Sequence, residues 1–206
     1  MALIFTQLRI NAMTTQTPLR QLFLGGARSG KSGLAEQAAS ESGLEVVYVA
    51  TAQVAHSDVQ HGTNSTDGAD STGSMAHRVA LHQQRRPKHW RLVEEPLMLS
   101  QTLAELDAQP CCILVDCLTL WLSNHLCADA TSLEATIDEL VAQVTSTRHH
   151  VILVSNEVGS GIVPMGELSR QFQDYSGLLN QRLAQVCDEV TLAVAGLPLP
   201  LKSKSL

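Results

Sequence analysis

The chain has 206 residues, is 44% hydrophobic and 17% charged, and carries a formal net charge of −6. This sets aside a disordered chain and a nucleic-acid binder held by a basic patch. Polar residues break every apolar stretch before the roughly 18 residues a membrane span needs, and MALIFTQLRINAM lacks the features of a secretory signal.

Residues 1–19, rich in Thr and Gln, are expected to form a flexible extension ahead of a single domain over 20–206, with Met13 as an alternative start. Apolar, β-branched runs at 21–24, 45–50, 111–116, 151–155 and 190–195 are predicted strands. Their continuity suits a parallel sheet covered on both faces. Helical patterns occupy 32–42, 131–147 and 167–187. The second opens with capping-box spacing, Thr131-Ser132-Leu133-Glu134, and sets Ile137, Leu140, Val141 and Val144 on one face. The alternation predicts an α/β fold with right-handed crossovers. Residues 54–74, VAHSDVQHGTNSTDGADSTGS, have little to bury. They read as a low-complexity insertion, disordered in preference to a lid. The five cysteines, Cys111, Cys112, Cys117, Cys127 and Cys187, fit neither a disulfide framework nor a paired zinc motif. They read as reduced small residues of a cytosolic protein.

GGARSGKS at 25–32 matches G-x-x-x-x-G-K-[ST] in full, between a predicted strand and a predicted helix. Backbone N–H groups of such a loop cradle phosphates, and the following helix adds its positive end. The candidate nucleotide contacts are Gly26, Ala27, Arg28, Ser29, Gly30, Lys31, Ser32 and Gly33. Lys31 is expected to reach the β- and γ-phosphates and Ser32 to ligate Mg²⁺. CCILVD at 111–116 ends in Asp116, either a nucleotide or Mg²⁺ contact or simply the start of a turn. Glu157, at the end of the next strand, reads as a general base or as a capping or surface carboxylate. The four lysines, Lys31, Lys88, Lys202 and Lys204, offer no Asn-Lys-x-Asp element, which argues against a switch GTPase.

The segment 75–90 concentrates His and Arg in an acidic chain. At helical spacing Arg78, His82 and Arg85 share a face. Two guanidiniums beside an imidazole suit a polyphosphate and keep the ring neutral and nucleophilic. A solvated basic helix face fits the same spacing.

The chain resembles the bifunctional adenosylcobinamide kinase/adenosylcobinamide-phosphate guanylyltransferase family of cobalamin biosynthesis. The resemblance rests on GGARSGKS, YVATAQ at 48–53, R-x3-H-x3-RP-x2-W at 78–90 and VEEP at 93–96. It continues with DCLTLWLSN at 116–124, SNEVGSGIVP at 155–164 and R-x-F-x-D-x3-G-x2-NQRLA at 170–184. It implies an α/β fold of the P-loop NTPase (RecA-like) type, a three-layer sandwich with a mostly parallel central sheet. It also implies two reactions: phosphorylation of adenosylcobinamide with ATP or GTP, then transfer of GMP from GTP to adenosylcobinamide phosphate through a guanylyl-histidine. The reactive histidine falls on His82, beside Lys31 and Glu157 as catalytic candidates. Further GTP contacts fall on Thr51, Ala52, Gln53, Gln83, Gln84, Arg85, Arg86, Glu94 and Asp116, with Mg²⁺ on Ser32 and Asp116. A cytoplasmic homotrimer that binds no nucleic acid and does not insert into membranes is the expected state. The 54–74 insertion replaces a short connection in relatives, and Leu81 stands where some have a second histidine. The competing readings are a simple P-loop kinase and a non-catalytic nucleotide-dependent module.

Overall fold

A computed structural model describes residues 17–52, 86–106, 110–128 and 132–203. The elements run β1 (Arg20–Gly25), α1 (Lys31–Glu41), β2 (Val46–Ala50), β3 (Arg91–Glu94), α2 (Leu99–Glu105), β4 (Cys112–Asp116), α3 (Leu118–Cys127), α4 (Leu133–Ser146), β5 (His150–Asn156), α5 (Glu167–Val186), β6 (Glu189–Val194) and β7 (Leu197–Lys202). They form one seven-stranded sheet in the order β3-β2-β4-β5-β1-β6-β7. All neighbours are parallel except the β6–β7 hairpin.

Strand alternation sorts the core into two layers. Phe23, Tyr48, Cys112, Leu114, Ile152 and Val154 face one side, where Ala35 and Ala39 of α1 and Trp90 cover them. Leu22, Val47, Ile113, Val115, Val151 and Leu153 face the other, under Leu99, Trp121, Ile137, Leu140 and Leu183 of α2, α3, α4 and α5. The result is a three-layer α/β sandwich with a mostly parallel sheet. The five predicted strands are all present within a residue or so at each end.

Two strands and two helices escape the sequence pattern. β3 is only Arg91–Glu94 and largely exposed, so it shows no apolar run. β7, LPLPLK, looks like a tail, and its prolines are tolerated because it pairs on one edge only. α2 and α3 hide in segments with no clear amphipathic period. The capping-box expectation is corrected: α4 begins at Leu133 with Ser132 as N-cap and no side-chain cap bond. Thr131, the extension over 1–16 and the whole insertion lie outside the described residues. Leu19, just ahead of β1, is already tied to the sheet, its carbonyl accepting from Val151 N at 2.9 Å.

Parallel pairing puts the carboxyl ends of β1, β4 and β5 on one rim. Gly25 is level with Asn156, and Asp116 with Val154. In open α/β sheets that rim holds the ligand crevice.

Candidate nucleotide-binding and transfer site

The phosphate loop leaves β1 at Gly25 and enters α1 at Lys31. Left-handed Arg28 (φ 57°) and Gly30 (φ 95°) flank Ser29. This alternation turns successive N–H groups inward as an anion nest. α1 has neither a side-chain cap nor an acidic residue in its first turn, so nothing competes there for an anion. Close approach explains two glycines. A Cβ on Gly25 would lie 2.7 Å from Ala193 O, and one on Gly30 2.9 Å from Gly196 Cα. The β6–β7 turn braces the loop, Gly196 N donating to Ser29 O at 2.8 Å. Lys31 Nζ donates to Gly26 O at 3.1 Å. Burial lowers the Lys31 pKa, while the neighbouring Cys117 and Asp116 oppose that shift. An ammonium held this way gains by exchanging a carbonyl for a phosphate oxygen.

Asp116 sits beside Lys31 and accepts the hydroxyl of Tyr48 at Oδ2, 3.2 Å away. Burial first, and Asp116 second, raise the Tyr48 pKa, so the phenol keeps its proton and donates. Tyr48 stacks with Trp90, ring centres 6.5 Å apart. Arg86 lies over its face, 5.3 Å from the centroid. The end of the histidine–arginine segment is therefore tied through one ring to the carboxylate beside Lys31. The sequence reading missed Tyr48, although a phenol on a strand buried on both faces signals a required polar partner.

Thr51 is fully buried. Its hydroxyl donates to Cys117 O at 2.7 Å and accepts from Cys117 N at 3.0 Å. It joins the ends of β2 and β4, and its hydroxyl is spent there. Ala52 is half-buried beside it, and Glu94 is exposed at the end of the edge strand β3. The DCLTLWLSN motif is structural in large part. Asn124 donates to Thr51 O and Pro96 O at 2.9 and 3.0 Å, and Trp121 Nε1 donates to Leu97 O at 2.9 Å. Glu95 Oε1 accepts from Leu97 N and Met98 N at 2.8 and 2.7 Å.

Glu157 follows β5, its N–H donating to Gly25 O at 3.1 Å. Its Oε1 accepts from Gly159 N at 2.6 Å and from Ser160 Oγ at 3.4 Å. These bonds close a turn in the loop ahead of α5 and cap no helix, and they use part of the carboxylate's roughly four lone-pair sites. Glu157 also lines a cavity of about 490 Å³ against α5, with Leu24, Gly177 and Asn180. Gln53, His82, Gln83, Gln84 and Arg85 lie outside the described residues.

The residues present suit Mg²⁺. Ser32, in the first turn of α1, offers a hydroxyl, and Asp116 a carboxylate that accepts from the Tyr48 phenol and lies within electrostatic reach of Lys31. Hard oxygen donors of this kind, completed by water and phosphate oxygens, are what Mg²⁺ takes.

A glycine-rich loop between β1 and α1, with β5 intervening between β1 and the Asp116 strand, defines a RecA-like P-loop nucleotide-binding protein. Two solved structures share the fold. A type III secretion ATPase superposes with a TM-score of 0.52 at 10% identity, over 89% of this chain and 57% of its own. A protein from Pyrococcus horikoshii OT3 gives 0.51 at 10% identity, over 92% and 88%. The cobinamide kinase / cobinamide phosphate guanyltransferase family model matches residues 21–201, and the chain belongs to that family. The bifunctional adenosylcobalamin biosynthesis protein CobP of Pseudomonas aeruginosa is 48% identical over 189 residues, 91% of this chain and all of the relative. Its Salmonella typhimurium counterpart CobU is 37% identical over 199 residues, 88% of this chain and 98% of the relative. Among the described residues no helix is long and apolar enough to cross a membrane.

Proposed function

We propose that this protein phosphorylates adenosylcobinamide and then guanylylates the product, using one triphosphate site for both steps. In the first step the acceptor hydroxyl attacks the γ-phosphorus of ATP or GTP. Glu157 takes the hydroxyl proton, the γ-phosphoryl bond breaks, and the nucleoside diphosphate leaves. In the second step a nitrogen of His82 attacks the α-phosphorus of GTP and pyrophosphate leaves. A phosphate oxygen of adenosylcobinamide phosphate then displaces His82, giving adenosylcobinamide-GDP and a free imidazole. Lys31 and the loop amides hold the polyphosphate, and Ser32 and Asp116 would hold Mg²⁺, which supplies charge neutralisation on the phosphates. Ala52, Gln53, Glu94 and the segment 83–86 complete the GTP site, and Thr51, buried and bonded to Cys117, supports it from beneath. The working state is a cytoplasmic homotrimer.

One observation carries the reading: Arg86 is anchored on Tyr48, which donates to Asp116 beside Lys31. Four residues span at most about 14 Å, and that is the length of chain by which this reading brings His82 to the triphosphate. The test uses GTP labelled in either phosphate. The γ-label should appear in adenosylcobinamide phosphate, and the α-label in adenosylcobinamide-GDP with release of pyrophosphate. Transfer of γ-label alone would reduce the protein to a simple kinase.

A further inference from the structure

Apart from Glu157, two family motifs, SNEVGSGIVP and R-x-F-x-D-x3-G-x2-NQRLA, have no role in the steps above, and the fold brings them together. Arg170, Gln173, Asp174, Gly177 and Gln181 recur along one face of α5. The loop that follows Glu157 lies across that face. Gln173 Nε2 donates to Val158 O at 3.2 Å, and Arg170 donates to Pro164 O and Met165 O. Between them run two cavities of about 490 and 570 Å³, sharing Gly159, Gly177 and Gln181.

We propose that this double cleft is the docking site of the corrinoid acceptor, with Asn180 receiving a hydrogen bond from one of its hydroxyl or amide donors. The inference rests on the two-step reading above. Asn180 is 7% exposed. Its Nδ2 donates to Asn156 O at 3.1 Å, which fixes the amide. Its Oδ1 then has no hydrogen-bond partner among the described residues. A buried acceptor left unpaired is destabilising, so the first cleft is built for a donor. A polyphosphate supplies none, and the charges lining the two cavities are mixed, Glu157 with Lys202 and Asp174 with Arg170, with no surplus of cations to hold one. The loop at the second cavity exposes Ile162 (97%), Val163 (65%) and Met165 (97%), an apolar edge that water alone does not explain. A corrinoid presents the matching chemistry: an apolar macrocycle, several amide arms and one arm ending in the reacting hydroxyl. Continuity with the phosphate loop completes the match, because Leu24 lines the first cavity and Glu157 N is bonded to Gly25 O.

The test is Gly177→Phe. A Cβ there meets nothing within 4 Å, so the ring enters the cleft and not the core. Binding of cobinamide, read by equilibrium dialysis through its own colour, should weaken about tenfold or more. KM for adenosylcobinamide should rise in step. Affinity for a fluorescent GTP analogue and self-guanylylation by GTP, neither of which needs acceptor, should change by less than about twofold. Gln181→Trp, at an exposed position lining both cavities, should repeat the pattern should Gly177→Phe fold poorly. Unchanged cobinamide binding in the folded variants overturns the site, as does a parallel loss of nucleotide affinity. A wild-type protein that binds cobinamide through this cleft without turning it over overturns the two-step reading and leaves the site standing.

Discussion

The guanidinium of Arg86 rests 5.3 Å from the ring centre of Tyr48. That ring reports on the site's electrostatics, because its hydroxyl is bonded to Asp116. Tyr48→Phe keeps the stack with Trp90 and the support under Arg86, and removes only the bond to the carboxylate. Both nucleotide reactions should slow while the melting temperature changes little. Arg86→Ala removes the support. A cation–π contact is worth about 0.5–2 kcal/mol, so guanylylation should fall roughly 2- to 30-fold, and more than phosphorylation. Equal losses in the two reactions would separate Arg86 from the histidine segment's placement.

Lys31→Met should separate activity from stability. Burial lowers the Lys31 pKa, so the charged form is disfavoured by the fold. Methionine fills similar space without that charge, and thermal stability should hold or rise. Both activities should drop at least about 10²-fold, since an oriented charge on a phosphate is lost. A calorimetric scan beside the two assays checks both halves.

Gly30→Ala tests the brace between the loop and the hairpin. Gly30 has φ 95°, and a Cβ would stand 2.9 Å from Gly196 Cα. A non-glycine residue in such a conformation costs about 1–3 kcal/mol. Denaturant titration should show that loss, and nucleotide affinity should fall with it. Unchanged affinity would mean the loop tolerates displacement from Gly196.

The buried thiols predict an alkaline decline in stability. Burial pushes Cys112 and Cys117 up to about 11 and Cys187 to about 12. An unfolded thiol titrates near 8.5. Between about pH 8.5 and 11 the unfolded chain has released protons that the folded chain keeps, so stability falls as pH rises. Tyr48, also raised, acts in the same direction, and the lowered Lys31 acts against it. The melting temperature should be level near pH 7.5 and drop by pH 10.5. Alkylation near neutral pH should label exposed Cys127 first. A flat profile would contradict the burial of these thiols.

Much of this was legible in the sequence because the physics is local. A G-x-x-x-x-G-K-S loop needs no partner to be recognised, and strands buried on both faces announce themselves as apolar runs. The edges were harder. Arg91–Glu94 is a strand only because β2 offers it a partner, and Leu197–Lys202 only because β6 does. Long-range hydrogen bonds were invisible for the same reason. Nothing near Thr51 in sequence reveals that Cys117 takes both sides of its hydroxyl. Nothing near Asn180 shows that Asn156 fixes its amide and leaves its oxygen unpaired.

The most direct test of the account is intact-protein mass spectrometry after incubation with GTP and Mg²⁺, without acceptor. The wild-type chain should gain the mass of one guanylyl group. The adduct should be lost in acid and kept in base, as a phosphorus–nitrogen bond behaves, and it should disappear on addition of adenosylcobinamide phosphate. His82→Ala should gain no mass and release no pyrophosphate, while still phosphorylating adenosylcobinamide. A His82→Ala protein that carries the adduct normally would contradict the account.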